Sequence, residues 1–162
     1  MNEHEVCRVL FADDHELLRD TLVMYLRQDA SMEVVPVSSL DEAAVQWRTR
    51  GPFDLVLLDY RMPGMNGLEG LKLALSENVR TALISGLAGK PVVEEVLQIN
   101  AAGFLSKSMP AASFVKAIKF MAKGGQFVSP EAFSTADSVV DHPLAQRLTK
   151  REFEVLEQLC AG

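Results

Sequence analysis

Asp13, Asp14, Asp59, Ser85 and Lys107 are the residues whose types and spacing could do chemistry together. Each follows a short apolar run: Val-Leu-Phe-Ala leads into Asp13-Asp14, Leu-Val-Leu-Leu into Asp59, Ala-Leu-Ile into Ser85, and Gly-Phe-Leu-Ser into Lys107. If these runs are neighbouring strands pointing one way, three carboxylates, a hydroxyl and an ammonium meet at one mouth. Carboxylates brought that close cannot all ionise freely. A hard divalent cation relieves this, and Mg²⁺ favours a few carboxylate oxygens with water and phosphate. Aspartate is a recognised nucleophile for phosphoryl transfer, and a cation with a lysine neutralises charge on the transferred oxygens. The set therefore describes a site for a phosphoryl group carried on Asp59. Each member alone has a plainer reading. Asp14 can cap a helix, Asp59 can end a strand, Ser85 can be a turn residue before Gly86, and Lys107 can be a solvated lysine. Convergence is what favours the site.

The elements that must position these groups alternate in type. Residues 55–58 are apolar without alternation, as in a strand buried on both faces, and Met62-Pro63-Gly64 then forces a turn. Strands are also expected over 6–12, 32–37, 81–85 and 103–107. Helical spacing of apolar residues is expected over 15–28 (with Asp14 as its cap), 41–50, 66–77, 91–102 and 110–123. Strands alternating with helices of roughly 10–15 residues mean βαβ units and a parallel sheet. Five such units fit an α/β, flavodoxin-like (βα)5 doubly wound fold of strand order 2-1-3-4-5, which places ligands at the carboxyl ends of the strands.

The 162 residues include 48% hydrophobic and 23% charged residues, with a formal net charge of −6 and a pI near 5.1. That balance supplies a core and argues against a broad basic field for nucleic acid. Cys7 and Cys160 show no metal spacing. The N-terminus lacks a signal-peptide pattern, and no segment approaches the ~20 apolar residues of a membrane span. A cytoplasmic protein that does not engage membranes is expected.

The pattern changes after residue 125. Residues 127–131 could start a short helix, with Ser129 as its cap and Pro130 in its first turn, and 126–147 reads as a linker. Thr149 and Glu152 then form a capping box for a final helix over 148–162, with Phe153, Leu156, Leu159 and Cys160 on its apolar face. It reads as the first helix of a truncated domain.

The series Phe11-Ala-Asp13-Asp14-His15, Leu58-Asp59-Tyr-Arg-Met62-Pro63, Ile84-Ser85-Gly86 and Gly103-Phe104-Leu-Ser-Lys107 resembles the receiver domain of two-component response regulators over roughly residues 5–125, which implies a receiver domain at 1–125. The stretches 122–131 and 148–156 resemble the NarL/FixJ subgroup, with its LuxR-type helix-turn-helix output. The resemblance implies Asp59 as phospho-acceptor, with Mg²⁺ held by Asp13, Asp14, Asp59 and the backbone carbonyl of Arg61. Ser85 and Lys107 would bind the phosphoryl group, and Ser85 with Phe104 would form the conformational switch. It implies a sensor histidine kinase as donor, a homodimer on activation, and promoter DNA as the target of the full-length protein. The 162 residues themselves are expected not to bind DNA specifically, because the second helix of the motif reads the bases. Many receivers have Pro after the lysine, often in cis. This chain has Ser108, so that cis bond is not expected. A haloacid-dehalogenase-type phosphatase also uses an Asp nucleophile, but it wants an acid two residues later, where Arg61 stands. No turnover enzyme is expected, only a self-modifying switch; a third reading, an interaction module that works unphosphorylated, is disfavoured by the intact acidic set.

Overall fold

Strands β1 (Cys7–Ala12), β2 (Met32–Val37), β3 (Leu55–Asp59), β4 (Thr81–Ser85), β5 (Gly103–Ser106) and β6 (Phe127–Val128) form one sheet. Every pairing is parallel and the order is β2-β1-β3-β4-β5-β6. The structure is a computed structural model, and residues 5–86 and 89–133 are described. Helices α1 (Glu16–Arg27), α2 (Leu40–Thr49), α3 (Glu69–Ser76), α4 (Lys90–Gln98) and α5 (Ala111–Ala122) connect the six strands in turn. A 3-10 helix, Pro130–Phe133, follows β6. The doubly wound, flavodoxin-like fold is as expected. The final helix expected over 148–162, and most of the linker before it, lie outside the described residues.

Alternate residues of a strand face opposite sides of its sheet, so each strand feeds two cores. Leu10, Val56, Leu58, Leu83 and Phe104 lie on one side with Trp47 of α2, Leu71 of α3 and Val93 of α4. Val9, Phe11, Leu57, Ile84 and Leu105 lie on the other with Leu26 of α1 and Phe114 and Ile118 of α5. All residues of β3, β4 and β5 are buried, which explains their unbroken apolar runs.

Three local expectations need correction. Asp14 does not cap α1: His15 occupies the cap position, and Asp13 Oδ1 instead accepts the His15 N–H at 2.8 Å. Helix α3 begins at Glu69, not Asn66, because Asn66 (φ 46°) and Gly67 (φ 68°) are left-handed and cannot enter a right-handed helix. Helix α4 ends at Gln98, not Ala102: Asn100 turns left-handed (φ 65°), and the Ala101 N–H closes back onto the Val96 carbonyl at 3.2 Å.

The region after α5 also differs from expectation. Phe127 and Val128 add a sixth strand to the edge of β5, so the sheet runs past residue 125. Ser129 does not act as a simple cap. It is fully buried, its N–H donates to the Phe104 carbonyl at 3.0 Å, and its hydroxyl accepts the Ser106 N–H at 2.9 Å. A half-buried guanidinium braces this corner: Arg80, just before β4, donates to the Met121 carbonyl at the end of α5 and to the Gly125 carbonyl at 2.5 Å.

Candidate functional site

The end of β1 delivers Asp13, whose N–H is fixed by the Val37 carbonyl of β2 at 3.1 Å. Neighbouring β3 ends in Asp59, and the next N–H, of Tyr60, donates to the Ile84 carbonyl at 3.0 Å. Ser85 ends β4 and is buried, and its carbonyl accepts the Lys107 N–H at 2.9 Å. Strand order thus places four strand ends side by side. All four strands are parallel, so their carboxyl ends open on the same edge of the sheet.

Lys107 Nζ lies 3.0 Å from Asp13 Oδ2 and 3.1 Å from Asp59 Oδ2, so one ammonium bridges two buried carboxylates. Asp59 Oδ1 also accepts the Arg61 N–H at 3.3 Å. Asp14 sits at the rim, its side chain 37% exposed, and His15 Nδ1 is 3.4 Å from its carboxylate. The same imidazole nitrogen lies 3.0 Å from Asp13 Oδ1 and 3.4 Å from Asp59 Oδ2.

These charges shape one another. Burial pushes the Asp59 carboxyl above its usual range, and the adjacent Asp13 adds to that; Lys107 opposes both but does not prevail. Burial pushes Asp13 upward as well, but there the His15 N–H, Lys107 and sharing with Asp59 together win, and its carboxyl is held below the usual range. His15 is raised, chiefly by its hydrogen bond to Asp13. The pair behaves as two coupled acids of unequal strength.

One ligating atom from each of Asp13, Asp14, His15 and Asp59 lies within 4.8 Å of the others, so the cluster could hold a metal ion. The fit is chemical as well as geometric. Asp13 Oδ2 is buried and, beside the Lys107 ammonium at 3.0 Å, accepts from no other donor among the described residues, so it keeps lone-pair capacity for a cation. Oxygen donors of this kind suit a hard cation.

Of the residues expected from sequence, Asp13, Asp14, Asp59 and Lys107 are brought together, and Ser85 lies at the adjoining strand end. Arg61 presents its N–H to Asp59. Phe104 is not in the cluster: it is 1% exposed, in the core behind it. His15 was missed as a member. Its signal was its place directly after two acids, which the reading of Asp14 as a cap obscured.

Fold and site together define a receiver: a doubly wound sheet that gathers acids and one lysine at its carboxyl edge. Residues 9–119 match the response regulator receiver domain, and the chain belongs to that family. The "Probable transcriptional regulatory protein NarL" of Mycobacterium tuberculosis is 35% identical over 98% of this chain and 76% of its own length. The "Response regulator UvrY" of Escherichia coli is 32% identical over 95% and 74%. The solved receiver domain of the M. tuberculosis NarL protein superposes with a TM-score of 0.68 at 37% identity, covering 74% of this chain and 98% of that one. This is a receiver of the NarL- and UvrY-like two-component regulators.

Proposed function

We propose that the protein accepts a phosphoryl group on Asp59 from a phosphohistidine of a sensor histidine kinase. The observation that carries this is the pairing of Asp59 with Asp13 under a single bridging ammonium from Lys107. An Asp59 carboxylate oxygen attacks phosphorus, the P–N bond of the donor breaks, and its electron pair returns to the imidazole. The product is an aspartyl phosphate. Attack of water on phosphorus later releases inorganic phosphate and restores the carboxylate, so the chain is a switch with one modified residue rather than a turnover enzyme.

Asp13, Asp14, Asp59 and the carbonyl of Arg61 would hold Mg²⁺, which supplies positive charge against the phosphoryl oxygens. Lys107 pairs with one of those oxygens and the Ser85 hydroxyl with another. When the phosphoryl group recruits Lys107 and Ser85, the β4 and β5 ends shift, and buried Phe104 is the packed side chain that senses the shift. Phosphorylation then favours a homodimer and controls promoter binding by the full-length regulator, in the cytoplasm. No helix among the described residues is long and apolar enough to cross a membrane, which accords with that location.

The test is labelling by acetyl phosphate with Mg²⁺, or occupancy by beryllofluoride. Wild type should be modified at Asp59 and the variant Asp59→Asn should not. Equal labelling of the two would refute the assignment. Sedimentation with and without beryllofluoride separates switched from constitutive association.

A further inference from the structure

Lys107 serves Asp59 only if the turn that follows β5 holds its direction, and β5 ends one residue before it. One side of that turn is anchored by the Lys107 N–H on the Ser85 carbonyl. The other side is anchored from outside the five βα units. Along the β5–β6 ladder, the Phe127 N–H donates to the Ala102 carbonyl and the Ser129 N–H to the Phe104 carbonyl, each at 3.0 Å. The next rung would run from the Ser106 N–H to the Ser129 carbonyl. That carbonyl instead accepts the Ala132 N–H at 3.0 Å, as the chain turns into the 3-10 helix. The Ser129 hydroxyl takes the rung in its place, at 2.9 Å, between two buried residues.

Ser106 passes this anchorage on. Its hydroxyl lies 2.7 Å from the Ser108 hydroxyl and accepts the Ser108 N–H at 3.2 Å, and its carbonyl accepts the Met109 N–H at 3.1 Å. Lys107 is therefore flanked by two serines tied to each other, one of which is tied to Ser129. No proline follows Lys107, and the 107–108 peptide is trans, so hydroxyl bonds join the backbone bonds in holding the turn.

We propose that Ser129 is a positioning residue for the phosphoryl site: through Ser106 and Ser108 its hydroxyl fixes the direction of the Lys107 ammonium onto Asp59. This rests on the reading of Asp59 as phospho-acceptor. It makes transfer depend on whether the segment after α5 is docked, because the hydroxyl arrives only with β6.

The experiment uses the 162-residue chain and two readouts: the rate of Asp59 labelling by acetyl phosphate, and Mg²⁺ affinity by NMR titration. Ser129→Ala and Ser129→Val should slow labelling by about tenfold, as expected for a misdirected charge at a reacting centre. They should bind Mg²⁺ at least as tightly as wild type, since Asp13 and Asp14 follow β1, Asp59 ends β3, and a displaced ammonium no longer competes for their oxygens. Ser129→Thr, which keeps the hydroxyl, should recover most of the rate. Val128→Ala weakens the same strand without removing the hydroxyl; it should lower the melting temperature and slow labelling far less than Ser129→Ala does. Wild-type labelling rates in Ser129→Ala, or equal slowing in Val128→Ala, would overturn the proposal. If the Ser129 variants do not fold, amide exchange in the unaltered chain decides. The Ser106 N–H should be protected like the central strands and shift on adding beryllofluoride with Mg²⁺, and exchange at the rate of an exposed turn overturns the idea. Wild type that takes no label on Asp59 refutes the phospho-acceptor reading itself, and this inference with it.

Discussion

Replacing Asp59 by Asn should make the cation-free protein more stable while abolishing its chemistry. The ligating oxygens of Asp13 and Asp59 lie within 4.8 Å. Two like charges at that separation repel by roughly 1 kcal/mol in a water-like medium and about 3.5 kcal/mol at the effective dielectric of a protein surface. Burial of Asp59 adds a desolvation cost, and Lys107, 3.1 Å away, returns part of it. The raised Asp59 carboxyl shows that burial and Asp13 outweigh the lysine. Asn removes the charge, keeps an oxygen for Lys107, and leaves Lys107 paired with Asp13. A net gain of about 1–2 kcal/mol is expected, or roughly 3–8 °C in melting temperature. The pH dependence has a definite sign. A carboxyl raised in the folded state contributes stability below its unfolded value, near 3.8, and loses it as pH rises through the folded value. The variant's advantage should therefore be small in acid and full at neutral pH. Thermal melts in chelator across that range measure it. Excess Mg²⁺ should narrow the gap at neutral pH, because wild type gains about 2.7 kcal/mol at a hundredfold excess over its dissociation constant and the variant gains less. If Asp59→Asn melts at or below wild type in chelator at neutral pH, the electrostatic account is wrong.

Arg80→Met should cost about 2–4 kcal/mol in chemical denaturation, since it leaves the Met121 and Gly125 carbonyls without their charged donor. Gly103→Ala should cost about 3 kcal/mol and raise amide exchange in β6, because a Cβ there would meet the Phe127 carbonyl oxygen at 1.9 Å. Asp29, held down to about 2 chiefly by its hydrogen bond from Lys119 and then by Ser31, should stabilise the fold above pH 3.8 and lose that effect as pH falls toward 2. Solvent screening keeps this to under about 1 kcal/mol. Acid titration of Asp29→Asn against wild type should show the two curves converging toward pH 2.

The strands at the heart of the site were legible because they are buried on both faces. The 55–58 and 81–85 runs stop where the polar chemistry starts, and burial on both sides requires that abrupt change. Lys107 could be placed with Asp59, 48 positions earlier, because five βα units of this length fit the flavodoxin-like order, in which β5 ends beside the mouth formed by β3 and β4. The errors share a cause: short-range signals with two physical outlets. Asp13 and Asp14 are both able to accept an N–H at the start of α1, and tertiary packing of β1 against β2 gave that role to Asp13. Asn66 and Asn100 are plausible within helices by pattern, yet both relax into left-handed turns that asparagine tolerates. Two residues, Phe127 and Val128, are too few to show any period, and the following Ser-Pro pair is an equally good helix start. Only the exposed edge of β5, invisible in sequence, made them a strand.

Strand β6 has a consequence for how copies of this protein can meet. A bare sheet edge is a template on which another chain can add a strand. At one border of this sheet the template is cut to the two residues of β6. At the other, β2 carries Pro36, which has no N–H to offer, and an exposed Glu33 paired with Arg8. Strand-on-strand assembly is thus disfavoured at both borders among the described residues, and the proposed homodimer would be better built from helix surfaces, which can slide and separate without breaking a ladder of backbone hydrogen bonds. Such a contact can be reversed on the timescale of a signal, whereas a continuous intermolecular sheet would tend to persist after the phosphate had gone.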